Sequence, residues 1–96
     1  MEFEFDPKKS AANKKKHGLD FVEAQELWED FDRLLVAVDY PAEPRWLMVG
    51  RLNNKTWTAV FTRRGENIRI ISVRRARANE QEQYEQNQKE DNGGGF

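Results

Sequence analysis

The sequence predicts an α+β domain with a four- to five-stranded, mainly antiparallel sheet, an N-terminal helical hairpin and a C-terminal helix. Helix start and stop signals occur twice near the N-terminus, strand-forming runs joined by short turns fill the middle, and one polar helical stretch follows. Short links between successive strands favour antiparallel pairing, with the helices segregated against the sheet. We predict a single domain over residues 1–90 and a flexible tail over residues 91–96.

The first elements are a short strand and a helix. Residues 1–5 alternate apolar and acidic side chains, as a half-exposed strand does. Asp6 is placed to cap a helix over residues 7–16 that starts with Pro7, and Gly18 suits the left-handed residue after its end.

A second helix is predicted to begin at Asp20. Glu23 lies three residues later and completes a capping box with it. Five apolar residues at helical spacings predict the buried face of this helix: Phe21, Ala24, Leu27, Trp28 and Phe31. The two helices would form the hairpin.

Four strands are predicted next, over residues 34–38, 45–52, a run from Thr56, and 68–73. The last two are predicted to form a β-hairpin around the turn 64–67. Alternation puts Arg69, Ile71, Val73 and Arg75 on one face of the final strand and Ile68, Ile70, Ser72 and Arg74 on the other. An apolar middle on both faces predicts a central strand. A polar helix follows over residues 76–88, anchored by Tyr84.

Charge is divided into blocks that the net charge of −1 conceals. Residues 20–44 carry eight acids and one Arg, whereas residues 45–77 carry eight Arg and one Lys against one Glu. Such separation gives either an anion-binding face and a cation-binding face, or neighbouring blocks that neutralise each other in the fold. Guanidinium groups at the rim of a rigid sheet are suited to holding phosphate.

The residue inventory excludes several kinds of site. The absence of Cys and the single His exclude disulfides, thiolate metal sites and multi-His metal sites, and no cofactor is expected. No apolar run approaches about 20 residues and the N-terminus has no signal-peptide pattern. The sequence therefore predicts a cytoplasmic protein that does not enter a membrane.

Three stretches carry a family resemblance. The opening FEFDPKKSAANKKKHGLDFVEA, the run 43–46 leading to residues 50–51, and residues 69–76 resemble, in this order, the BrnT toxins of bacterial type II toxin–antitoxin pairs. The resemblance implies a RelE-like fold and a metal-independent endoribonuclease that arrests growth. It also implies a ribbon-helix-helix antitoxin, a heterotetrameric complex, and binding of operator DNA only through that antitoxin. The acid- and amide-rich residues 77–81 depart from the basic continuation of the family, which weakens any contact of the last helix with RNA.

Such an enzyme needs a proton acceptor for the 2′-hydroxyl and cations that hold the scissile phosphate. His17, which matches the family's Lys-His-Gly, is predicted as catalytic because the lysines before it favour the neutral imidazole. It could equally end a helix by binding a carbonyl. Glu43 is a possible general base, or an exposed loop carboxylate.

Arg51 and Arg74 match family positions and are predicted as catalytic groups that hold phosphate; salt bridges with the abundant acids are the alternative. Predicted RNA-backbone contacts are Lys16, Arg45, Arg63, Arg69 and Arg75. Trp46 and Trp57 would either stack on bases or lie in the core.

The alternative function is a non-enzymatic module that binds nucleic acid or a regulatory partner through the same arginines, and a third is a gyrase-poisoning toxin on the same scaffold. An antitoxin with basic segments would dock on the acidic residues 20–44, or the antitoxin would instead lay acidic residues over the arginines and block access of RNA.

Overall fold

Strand-forming runs and short turns fold into one five-stranded sheet in the computed structural model, which describes residues 1–93, with side chains to Lys89. The elements are β1 (Phe3–Glu4), α1 (Pro7–His17), a 3₁₀ helix (Glu23–Glu29), β2 (Leu34–Val38), β3 (Arg45–Leu52), β4 (Lys55–Arg64), β5 (Asn67–Arg75) and α2 (Ala78–Gly93). Residues 94–96 of the predicted tail lie outside the described residues. The α+β class and the C-terminal helix are confirmed.

The strand order is β1-β5-β4-β3-β2. Strands β2 to β5 form antiparallel neighbours through short turns, one of which uses the left-handed conformations of Asn53 (φ 54°) and Asn54 (φ 62°). Strand β1 instead lies parallel to β5, with Phe3 opposite Ile68. The sheet is therefore mixed, because β1 lies beside β5 and runs in the same direction as β5. Strand β4 is the middle strand, and β5 lies between β1 and β4, so the prediction that β5 is an inner strand of the sheet is confirmed.

The first helix agrees with its sequence signals. The Asp6 carboxylate accepts a hydrogen bond from the Lys8 backbone N–H at 2.9 Å, and Pro7 opens the helix. Gly18 adopts φ 87°, and its N–H donates to the Lys14 carbonyl at 2.8 Å. Both ends of α1 are confirmed.

The predicted second α-helix is wrong, and with it the helical hairpin. The capping box forms, since Asp20 Oδ1 accepts from the Glu23 N–H at 2.8 Å and Glu23 Oε1 accepts from the Asp20 N–H at 3.0 Å. The chain then winds as a 3₁₀ helix. With three residues per turn, Phe21, Ala24 and Leu27 align towards the sheet, and all three are buried. Phe31 falls off this line and is 97% exposed.

The core lies on one face of the sheet, which we call the core face. Its buried cluster comprises Leu19, Phe21, Ala24, Leu27, Met48, Trp57, Ala59, Phe61, Ile68, Ile70 and Val73. The β4–β5 pairing shifts between Val60 and Phe61, and Ile71 is left without a partner. This bulge reverses the alternation, so that Val73 joins Ile70 on the core face. The predicted sharing of faces along β5 is therefore wrong beyond Ile70.

Candidate nucleic-acid interface

The opposite face of the sheet, which we call the second face, carries four of the arginines. Strand register aligns its side chains in rows. One row runs Leu47–Val60–Ser72, the next Val49–Thr58–Arg74, and Arg51 lies opposite Thr56 beyond it. At the other end, Arg45 precedes the Trp46–Phe61 pair and is therefore level with Thr62, which pairs with Arg69.

Helix α2 covers one end of the second face. Tyr84 and Glu80 are its buried side chains, 1% and 8% exposed. Beneath it, Val49, Thr56 and Thr58 are also buried. Leu47, Val60 and Ser72 are only half-buried, so the middle of the face remains accessible.

Arg74 is engaged by α2. Its two terminal nitrogens donate to the two carboxylate oxygens of Glu80 at 2.7 and 2.9 Å. Glu80 also accepts from the Thr58 hydroxyl at 2.9 Å and from the Arg77 backbone N–H at 2.8 Å. The Arg74 hydrogen bonds, opposed by burial, lower the pKa of Glu80 to about 2. Arg74 thus forms the salt bridge that the sequence left as the alternative to phosphate binding.

Arg51 lies in acidic surroundings. It lines a cavity of about 450 Å³ together with four carboxylates, those of Glu26, Glu29, Asp30 and Asp32. Its backbone N–H donates to Asp30 Oδ2 at 2.9 Å, and the Tyr84 hydroxyl donates to the same oxygen at 2.6 Å. Burial and the Asp30 carboxylate raise the pKa of Tyr84. These contacts fasten α2 and the end of the 3₁₀ helix to β3.

Arg45, Thr62 and Arg69, which we call the arginine row, form a different environment at the far end of the second face. The Arg45 guanidinium carbon lies 3.9 Å from the centroid of the Tyr40 ring, and Arg69 Nη1 lies 3.8 Å from Glu4 Oε1. Arg45 Nε and Thr62 Oγ1 are buried and have no hydrogen-bond partner among the described residues. Thr62 itself is only 2% exposed.

Two unpartnered buried polar atoms in adjacent strands are costly, at about 1–3 kcal/mol each. Arg45 Nε is a donor, and the Thr62 hydroxyl is both donor and acceptor. Both atoms have essentially no solvent-accessible surface, so an anion would reach them only after the side chains around them shifted. The guanidinium groups of Arg45 and Arg69 are half-buried, and these are the groups that can offer donors to an oxyanion at this end of the face.

His17 lies on a different element from these arginines. It ends α1, and α1 packs along β5 through Asn13, whose Oδ1 accepts from the Val73 N–H at 3.2 Å. Arg51 and Arg74 lie on the second face, on β3 and β5. A common site for His17, Arg51 and Arg74 stays a prediction.

The five predicted RNA contacts are also divided. Arg45 and Arg69 share the arginine row, but Arg63 lies on the core face, 4.6 Å from the Trp46 ring centroid. Arg75 lies 5.6 Å from the ring centroid of buried Trp57, also on the core face, and Lys16 is exposed in the last turn of α1. Glu43 is half-buried in the loop before β3, two residues from Arg45.

Thr62 and Glu80 were not identified from the sequence. Threonine recurs in β4 at positions 56, 58 and 62, on the face opposite the core residues of that strand, and this spacing can be recognised in the sequence. Glu80 lies three residues after Arg77, the spacing at which a carboxylate reaches back to a helix start. Nothing in the local sequence shows that Glu80 also reaches Arg74.

Among the described side chains, which end at Lys89, no three His, Asp or Glu residues are grouped to hold a metal ion. None of the helices described is long and apolar enough to cross a membrane.

A family model described as a ribonuclease toxin, BrnT, of type II toxin–antitoxin systems matches residues 5–80. The match spans α1, strands β2 to β5 and the start of α2, and so includes the arginine row. No curated protein matches the chain significantly.

Proposed function

This chain belongs to the BrnT family of ribonuclease toxins of type II toxin–antitoxin systems, and from that membership we propose that it is a metal-independent endoribonuclease whose arginine row seats an RNA phosphate. The observation that carries the proposal is that strand register places two half-buried arginines, Arg45 and Arg69, on either side of Thr62 at the accessible end of the second face. Phosphate oxygens accept charge-assisted hydrogen bonds from guanidinium groups, often two at a time.

The rest of the accessible second face suits an RNA strand. Leu47 and Val60 form a half-buried apolar strip next to the row, against which a base can pack. RNA supplies its own nucleophile, the 2′-hydroxyl, so the protein has to position the phosphate and neutralise the charge that builds on it. The 2′-oxygen bonds to phosphorus as the P–O5′ bond breaks, and the leaving 5′-oxygen takes a proton from a general acid or from water. The products would be a 2′,3′-cyclic phosphate and a 5′-hydroxyl.

Two candidate bases differ in position. Glu43 lies two residues before Arg45, whereas His17 ends α1, which packs along β5. Glu43 is therefore our preferred proton acceptor at the row, and His17 is the family-based alternative. Arg74 would take part only if α2 moved, because Glu80 binds its guanidinium, and Arg51 is exposed but lies beside four carboxylates.

The partner follows from the same membership. A type II toxin is neutralised by a protein antitoxin, and we propose one of the ribbon-helix-helix kind, in a heterotetramer that binds operator DNA through the antitoxin. A ribonuclease that arrests growth would act in the cytoplasm. Growth arrest on expression of the chain alone, relieved by co-expression of the antitoxin, tests this part.

The cleavage test uses purified protein and RNA in EDTA, with the new RNA ends identified. We expect cyclic-phosphate and 5′-hydroxyl ends, and at least about tenfold slower cleavage by Arg45→Ala and Arg69→Ala, since each loses a charged contact to phosphate. Arg63→Ala is the matched control, because Arg63 also stacks on an aromatic ring but lies on the other face. It should cleave within about twofold of the parent.

Two further variants separate the bases. Loss of cleavage in Glu43→Gln with RNA binding retained supports Glu43, and the same result in His17→Ala would assign the imidazole instead. The non-enzymatic alternative is favoured by the Arg74–Glu80 ion pair, which occupies one of the predicted catalytic cations, and it predicts RNA binding without new ends. Intact RNA at high protein concentration in EDTA would refute the enzymatic proposal.

A further inference from the structure

The two edges of the sheet are protected very differently. At the β1 edge the strand has only two residues, and the Asn13 side chain accepts from the Val73 N–H that lies beyond it. The β2 edge is a run of five apolar residues, Leu34–Val38, with no proline, no charge and no irregularity in its pairing with β3. An edge of this kind readily pairs with another strand.

Exposed apolar side chains gather at this edge. Among the described residues, six large hydrophobic side chains are exposed, and four of them lie between residues 31 and 40: Phe31, Leu35, Val36 and Tyr40. Phe31 is 97% exposed, although it is one of the largest side chains in the protein. Clustering of this sort marks an interaction surface.

We propose that β2 pairs antiparallel with β2 of a second copy of this chain, about a two-fold axis through Val36, so that two five-stranded sheets become one of ten strands. When two copies of the segment Arg33–Asp39 run antiparallel, apolar residues of one copy face apolar residues of the other, and the opposite charges at the two ends face each other. In this register Leu34 lies opposite the partner's Val38, Leu35 opposite the partner's Ala37, and Val36 opposite its own copy. The contact is isologous, as a closed dimer requires.

The charges at the two ends select this register. Arg33 lies opposite the partner's Asp39, and the two-fold symmetry creates a second, identical pair between Asp39 and the partner's Arg33. Both residues are exposed, and neither forms an ion pair within residues 1–89. The only hydrogen bond from the Arg33 side chain is to the Asp30 carbonyl at 3.1 Å. The dimer would give each charge an opposite neighbour.

Other registers lose these pairings. A shift of two residues places Arg33 opposite Ala37 or Pro41 of the second copy and leaves both charges without partners. A shift of one residue opposes side chains that belong to different faces of the sheet. The register about Val36 also brings Phe31 opposite the partner's Pro41 and next to the partner's Tyr40, which would cover the exposed aromatic rings.

Charge reversal tests the proposal by sedimentation equilibrium over a range of concentrations. The parent should show a mass about twice 11.3 kDa at high concentration. Arg33→Asp and Asp39→Arg should each raise the dimer dissociation constant at least about tenfold, because each replaces two attractive pairs with two like-charge pairs. The double variant Arg33→Asp/Asp39→Arg restores opposite charges and should dimerise like the parent.

Two controls complete the test. Arg64→Asp reverses an exposed charge in the β4–β5 turn and should leave the dimer unchanged, while Val36→Lys should abolish it; circular dichroism confirms that each variant folds. A parent that stays monomeric, a dimer that survives both single reversals, or a double variant that remains monomeric overturns the proposal. A monomeric parent whose antitoxin binding is weakened by Arg33→Asp would assign the edge to an antitoxin strand instead.

Discussion

Glu80 is the residue on which the attachment of α2 depends. Its carboxylate receives donors from the Arg74 side chain, the Thr58 hydroxyl and the Arg77 backbone, and it is 8% exposed. The substitution Glu80→Gln keeps the Arg74 guanidinium in place but removes the negative charge that pairs with it. We expect a loss of about 2 kcal/mol in the free energy of unfolding, measured with urea at pH 7, and almost no loss for Glu82→Gln on the exposed side of α2.

The same carboxylate gives a pH dependence with a defined sign. The pKa of Glu80 in the folded protein is about 2, below the ordinary value of 4.5. Its stabilising contribution is therefore complete above pH 4.5 and is lost as the pH falls towards 2. The difference in unfolding free energy between the parent and Glu80→Gln should therefore shrink between pH 4.5 and pH 2. A difference that stays constant across this range would show that the pair is not formed in solution.

The sequence does not predict which side chains form hydrogen bonds between distant parts of the chain. Asn13 donates to the Leu19 carbonyl at 2.7 Å and accepts from the Val73 N–H, 60 residues away. In the sequence it is only a polar residue in a lysine-rich helix. Thr62 is likewise an ordinary strand-forming residue in the sequence, because its environment is set by Arg45 and Arg69 from two other strands.

At the scale of elements, the 3₁₀ helix depends on Gly50 for its position. A Cβ at Gly50 would lie 3.4 Å from both the Leu27 side chain and the Leu27 carbonyl. Gly50→Val would push the 3₁₀ helix away from β3 and should destabilise the fold by about 2 kcal/mol, with Gly50→Ala costing less. Urea unfolding of both variants measures this; a valine variant as stable as the parent would mean that the helix is not closely packed on the strand.

Elements defined by local chemistry were predicted best. The caps of α1 and the bounds of β2 and β3 match the sequence prediction, since they depend on neighbouring residues alone. The bulge at Ile71 and the parallel placement of β1 depend on how strands meet. The 3₁₀ winding was also missed, because spacings of three and of four residues both fit a short amphipathic segment.

At the scale of the whole molecule, the basic block 45–77 does not form one basic surface. Arg45 and Arg69 flank Thr62 at the accessible end of the second face, and Arg74 is paired with Glu80 of α2. Arg51 is exposed beside four carboxylates, and Arg63 and Arg75 stack on core-face tryptophans. The sequence shows which part of the chain is basic, but it does not show on which face of the sheet each arginine lies. The bulge and the position of α2 decide which arginines remain available to a phosphate.

This division predicts how RNA binding responds to salt. The logarithm of the association constant should fall linearly with the logarithm of salt concentration, with a slope of about 0.7 for each phosphate held on a single strand. Arg45→Ala and Arg69→Ala should each reduce the slope by about that amount, whereas Arg63→Ala should leave it unchanged. Fluorescence anisotropy with a labelled single strand in EDTA, using a 2′-deoxy linkage to prevent cleavage, measures all four proteins. An equal reduction in Arg63→Ala would mean that RNA contacts both faces of the sheet, and the arginine row would then not be the sole seat of the phosphate.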